Sequence, residues 1–216
     1  MLCILNIDEL DEELSELLRE AEKKIFITEK ENRGNASSVF GRILLGYMLK
    51  KSCGADTFSY RYGEQGKPYF ADSDRKFSIS HSGKYVMCCL TEKENGCDIE
   101  KIKRYNPKIP ARFFTEKETL LLSRREDREL LFTKLWTLKE SILKKNGTGI
   151  AGSLDSFCFA DYADRDEFFA YGCYFSSDVC GDYVLSLCSE DPAEKVCTVS
   201  KKEIEEYIGK INLKKT

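Results

Sequence analysis

Residues 85–90 read YVMCCL, and residues 183–188 read YVLSLC. Each run opens on Tyr-Val and is mostly apolar between Gly, Asp or Ser signals, which predicts a short strand. The two lie 98 residues apart in a chain of 216. Outward from the first, Phe58–Tyr62, Phe77–His81 and Gly96–Glu100 read as further strands. Helical patterns precede them at residues 8–27, with Leu10, Leu14, Leu17, Leu18 and Ile25 at helical spacing, and at Ser37–Lys51. Around the second run the order restarts: helices at Phe113–Arg125 and Glu129–Lys145, strands at Ser156–Phe159, Phe168–Phe175, Tyr183–Cys188 and Lys195–Val199, and a helix over Lys201–Ile208. Residues 101–112, with Pro107 and Pro110, read as the connection. Helices followed by strands thus occur twice, which predicts an α+β protein of two similar halves, 1–105 and 106–216.

Composition narrows the class. Hydrophobic residues make up 42% and charged residues 33% of the chain, ordinary for a soluble globular protein. A formal net charge of -3 excludes a basic protein that coats nucleic acid. It leaves room for a local basic run, KIKR at 101–104 continuing to Lys108 and Arg112. MLCILNI at the start is apolar for seven residues and then meets Asp8 and Glu9, so it does not read as a targeting segment. No uncharged stretch approaches the ~18 apolar residues of a membrane span, and a cytoplasmic protein is expected. Ten cysteines occur without a Cys-x-x-Cys, beside a single histidine. Cys88, Cys89, Cys173, Cys188 and Cys197 fall in apolar strand-like runs, where reduced thiols behave as small hydrophobes.

Three stretches carry chemistry. In GCDIE (96–100) the period of a strand puts Asp98 and Glu100 on one face. Two such carboxylates repel unless a cation or proton lies between them, and hard oxygen donors suit Mg²⁺; a solvated strand edge would read the same way. In KLWTLKESILKK (134–145), Leu135, Trp136, Leu138, Ile142 and Leu143 form an apolar arc of a helix. Glu140 borders that arc, and Lys139 points into its middle. Lys144 lies one turn beyond Glu140, which is also the spacing of an ordinary surface ion pair. In FSISHSG (77–83), with GKP at 66–68 upstream, the lone His81 sits among hydroxyls at a turn, the company kept by a phosphate site. Neither a Walker A loop, nor G-x-G-x-x-G, nor a G-x-S-x-G elbow is present.

Taken in order, GKP, SISHS, G-x-D-I-E, RFF-x-x-x-E (112–118) and LW-x-x-K-E-S (135–141) resemble the phosphopantetheinyl transferases of the Sfp type, from about Arg42 to about Leu154. The resemblance implies a pseudo-two-fold pair of α+β halves with the active site at their junction. It implies transfer of the 4'-phosphopantetheine of coenzyme A to a serine of an apo acyl or peptidyl carrier protein, with release of adenosine 3',5'-bisphosphate. Matching motifs assign Asp98, Glu100 and Glu140 to Mg²⁺. They place His81 and Lys144 at the pyrophosphate, and Arg42, Lys67 and Ser80 on the coenzyme's phosphates, with Pro68 beside them. Glu140 and Glu118 are candidate bases. Lys30 and Arg33 are the matches to a basic stretch that grips the 3'-phosphate, and Lys139 is either a structural ion pair or a site residue. A monomer is expected, with no nucleic acid or membrane partner, and KIKRYNPKIPAR is a candidate surface for an acidic carrier helix. Two other readings are a Mg²⁺-dependent coenzyme A pyrophosphohydrolase and a non-catalytic module that binds coenzyme A or a carrier.

Overall fold

The computed structural model describes residues 1–27, 36–149, 154–192 and 195–211. In chain order its first elements are β1 (Leu2–Asn6), α1 (Glu12–Ile25), β2 (Phe26–Ile27), α2 (Ala36–Cys53), β3 (Phe58–Tyr62), β4 (Pro68–Phe70), β5 (Lys76–Ser82), β6 (Tyr85–Thr91) and β7 (Asn95–Lys101). Then follow α3 (Pro110–Phe113), α4 (Glu116–Arg124), α5 (Arg128–Asn146), β8 (Glu167–Ala170), β9 (Cys173–Cys180), β10 (Tyr183–Ser189), β11 (Val196–Val199) and α6 (Lys201–Lys210). The α+β reading holds. Packing divides the chain into one compact unit of Met1–Gly63, Pro68–Glu92 and Glu194–Thr216, and another of Glu64–Lys67 and Lys93–Ala193.

In the first unit the sheet order is β11-β1-β6-β5. MLCILNI, set aside as too short to target, is the inner strand β1, parallel to β11 and antiparallel to β6. The first helix starts only after it, where the Asp11 side chain caps the Leu14 N–H at 2.9 Å. Leu14, Leu18 and Ile25 of α1, Ile43, Leu44 and Met48 of α2, Val86 and Cys88 of β6, and Ile204 and Ile208 of α6 form one core. Helix α2 lies close on β5: a Cβ on Gly41 would stand 2.6 Å from Ile79 Cγ2. A smaller sheet, β2-β3-β4, completes the unit; its three-residue strand β4 is too short to leave a sequence pattern.

In the second unit an antiparallel sheet runs β7-β10-β9-β8, with α5 across β7 and β10. Leu135, Leu138 and Ile142 of α5 meet Phe159, Phe168, Phe175 and Cys188 in its core. The two echoed runs are β6 and β10, each an inner strand of its own sheet. Burial on both faces explains why neither alternates in polarity.

Two expected strands change. Ser156–Phe159 has no strand: Leu154–Ser156 is a turn of 3-10 helix. Phe168–Phe175 is a hairpin, turned at Tyr171 and Gly172 with φ of 52° and 73°. Tyr171 holds that unusual backbone while its hydroxyl takes the Cys158 N–H at 2.8 Å and donates to Cys158 O at 3.0 Å. The helix expected over Phe113–Arg125 breaks at Thr115, whose capping box with Glu118 starts α4. All ten cysteines are free thiols; Cys88, Cys89, Cys173 and Cys188 are buried as expected, whereas Cys197 is exposed. Among the described residues no helix is long and apolar enough to cross a membrane.

Candidate active site

Strand β7 and helix α5 meet backbone to backbone. A Cβ on Gly96 would fall 2.1 Å from Ser141 O and 2.3 Å from Lys145 N, so only glycine permits this approach. The strand period puts Asp98 and Glu100 in line with Gly96 on the face that α5 covers. Asp98 is 4% exposed, and Lys144 Nζ donates to its Oδ1 at 2.7 Å. Burial disfavours the Lys144 charge, but the Asp98 carboxylate outweighs it and holds the ammonium above the usual lysine range. Glu100 pairs with Lys103 at 3.1 Å.

Glu140 lies half-buried on the same helix. Burial raises its carboxyl above the usual value; the Asp98 charge adds to this, Lys144 opposes it, and Glu100 adds a smaller push. The charges of Asp98 and Glu100 are thus both felt at Glu140. Among the described residues no three His, Cys, Asp or Glu side chains already converge on one point as a formed metal centre. The chemistry of the donor set nevertheless fits a hard divalent cation: three carboxylates supply only oxygen, and Glu140 is an acid that a nearby positive charge would relieve.

Lys139 is wholly buried and belongs to the fold. Its Nζ pairs with Glu118 at 2.9 Å, donates to Leu154 O at 2.8 Å and to Phe157 O, and stands 5.1 Å over the Phe114 ring. Burial pulls Lys139 below the usual lysine range, with Glu118 opposing. The Glu118 carboxylate is itself fully enclosed. It accepts from Thr115 N and Oγ1, each at 2.9 Å, and from Phe159 N at 2.9 Å, besides Lys139. The sequence placed Glu118 among the candidate bases; the structure places it in a helix cap and a buried ion pair. Removing either partner would leave the other charge buried without compensation.

Lys67 is similarly committed. Its Nζ donates to Glu94 Oε2 at 2.8 Å, Lys145 O at 2.8 Å and Asn95 O at 3.3 Å, filling the three donors of an ammonium at the C-terminal end of α5.

In the first unit, Arg42, Pro68 and His81 line one cavity of about 220 Å³, with Ser38, Tyr60 and Tyr62. Helix α2 supplies Ser38 and Arg42, β3 supplies the two tyrosines, and β5 supplies His81 at its exposed end. Phe77, Ile79 and His81 share the strand face that borders this space. Ser80 falls on the opposite face, buried, and does not line it. Glu22 holds Arg42 by its Nε at 2.5 Å. Arg42 Nη2 and Tyr60 Oη are buried and find no hydrogen-bond partner among the described residues. Sequence reasoning missed Ser38, Tyr60 and Tyr62; the only available signal was the alternation Phe58, Tyr60, Tyr62 along β3. Lys30 and Arg33 lie outside the described residues.

Residues 94–188 match the family model of the 4'-phosphopantetheinyl transferase superfamily. The chain is 31% identical over 180 residues to the 4'-phosphopantetheinyl transferase Sfp of Bacillus subtilis (strain 168), covering 77% of this chain and 80% of that one. It is 39% identical over 100 residues to the 4'-phosphopantetheinyl transferase gsp of Aneurinibacillus migulanus, covering 45% and 42%.

Proposed function

This chain belongs to the 4'-phosphopantetheinyl transferase superfamily, and on that premise we propose that it moves the 4'-phosphopantetheine of coenzyme A onto a serine hydroxyl of an apo carrier protein. The observation that carries the reading is the carboxylate group on β7 and α5, where Asp98 and Glu100 press on the half-buried Glu140. A raised carboxyl under the influence of two further carboxylates suits a site for a divalent cation beside a diphosphate. Asp98, Glu100 and Glu140 would hold Mg²⁺. Mg²⁺ would supply charge neutralisation at the diphosphate, which is most of what phosphoryl transfer asks of a site.

The chain's own groups then divide the work. His81 and Lys144 would donate to the diphosphate, and Arg42 would donate to a phosphate of the coenzyme. Glu140, made more basic by burial and by its acidic neighbours, is suited to receive the serine proton. The serine oxygen forms a bond to the β-phosphorus, the bridging P–O bond breaks, and adenosine 3',5'-bisphosphate leaves. On this reading Lys67, whose ammonium already donates to Glu94, Asn95 O and Lys145 O, and the buried Ser80 would support their own elements rather than touch the ligand.

Intact mass of an apo carrier protein incubated with this protein, coenzyme A and Mg²⁺, beside an EDTA control, tests the proposal. Metal-dependent gain of one phosphopantetheine on a serine is expected, and Glu140→Ala should reduce the rate at least ~100-fold. Release of adenosine bisphosphate without a carrier would replace transfer by hydrolysis. Neither product would reduce the chain to a binding module.

A further inference from the structure

Burial accounts for Cys88, Cys89, Cys173 and Cys188, but Cys197 is exposed on the edge strand β11, where packing gives no reason for a cysteine. Register gives it a partner. β11 runs parallel to β1, and Cys197 stands directly opposite Cys3. Residues paired in this way point to the same face of a sheet. Leu5 and Val199, two residues further along each strand, are again register partners, and both belong to the core formed with α1, α2 and α6. Paired strands lie about 4.8 Å apart, inside the range of roughly 4.4–6.8 Å between the Cα atoms of disulfide-bonded cysteines.

The two thiols are unequal. Cys3 is 2% exposed, and burial, with the Cys197 charge adding, pushes its thiol up to about 11. It stays protonated near neutral pH, and solutes do not reach it. Cys197 meets solvent. An oxidant therefore finds Cys197 first, with Cys3 already in place across the ladder. Cys3 also stands opposite Cys88 of β6, but both of those thiols are buried. Cys53 is exposed as well, yet it ends α2 and its thiol donates to Leu49 O at 3.2 Å.

We propose that Cys197 is a site of oxidative modification by hydroperoxides, with Cys3 as its resolving thiol. The Cys197 sulfur takes one peroxide oxygen as the O–O bond breaks, giving a sulfenic acid and water or an alcohol. The Cys3 sulfur then attacks the Cys197 sulfur. An S–S bond forms, the S–O bond breaks, and the hydroxyl leaves as water with the Cys3 proton. Two thiols are oxidised and one peroxide is reduced. The crosslink joins strands near the two ends of the chain, closing a loop of almost its full length, and so restricts the unfolded state.

Hydrogen peroxide treatment of wild type, Cys197→Ser and Cys3→Ala, followed by peptide mapping and thermal unfolding, tests the proposal. Trypsin releases Cys3 in residues 1–19 and Cys197 in residues 196–201, each without a second cysteine. Wild type should yield these two peptides joined, and its melting temperature should rise by about 5 °C or more, both reversed by dithiothreitol. Cys197→Ser, altered at an exposed position, should show neither change. Cys3→Ala should hold Cys197 as a sulfenic acid that dimedone traps. A Cys3–Cys88 link, a Cys197–Cys197 link between two copies, or a Cys197 that peroxide leaves unchanged or oxidises with Cys3 still a free thiol would overturn the assignment.

Discussion

Glu140 sits where burial and two neighbouring carboxylates oppose its charge. Its carboxyl is raised in the fold above the ordinary 4.5, so the protonated form is favoured by folding. The stability tied to it is fully present below the unfolded value and is lost as pH rises through the folded one. Glu140→Gln carries no such penalty at any pH. In EDTA its thermal unfolding should lie above that of wild type at high pH, and the gap should shrink as pH falls toward 4.5. A gap that does not vary with pH would mean that packing, and not charge, separates the two proteins. Lys139 shows the opposite case, a charged side chain in the same helix whose surroundings satisfy it with Glu118 and two carbonyls. Adjacent residues of one motif thus have different duties. Position on a helical wheel shows that both face inward or nearly so, and only the neighbours distinguish them.

At the scale of elements, the approach of α5 to β7 is what brings Asp98 and Lys144 to 2.7 Å. Gly96→Ala would drive a methyl carbon into backbone atoms of Ser141 and Lys145 that cannot move aside as a flexible side chain would. Denaturant unfolding should show a loss of ~3 kcal/mol or more. Magnesium response should fall with it as β7 and α5 separate. The glycine of G-x-D-I-E is therefore a packing requirement, and the acids that follow it are the ones proposed to hold the cation. Element-level reading failed where local chemistry was ambiguous. Phe168–Phe175 reads as one apolar strand because aromatic residues flank its turn, and Tyr171 adopts positive φ without a glycine's freedom.

For the molecule as a whole, a divalent cation that binds only the folded chain must raise its stability by mass action. Mg²⁺ at 100 times its dissociation constant should add about 2.7 kcal/mol to unfolding. Calcium is expected to substitute in stabilisation, because both are hard cations that take carboxylate oxygens. The increment should vanish in Asp98→Asn and Glu140→Gln. An equal increment in those variants would move the cation elsewhere.

Much of this protein is determined along the chain. The α+β order, the long helices, the inner strands YVMCCL and YVLSLC, and the acids at 98, 100 and 140 follow from periodicity and from ordered short motifs, which are local properties. Tertiary structure alone decided which of the charged residues are open to ligands. Lys67 and Glu118 carry the right chemistry in the right motifs, yet hydrogen bonds from distant segments occupy them. Tyr60 stands in a strand that the pattern predicts, and only the fold encloses its hydroxyl without a hydrogen-bond partner among the described residues. Hydrogen-bond saturation depends on groups far apart in sequence, and no local pattern records it.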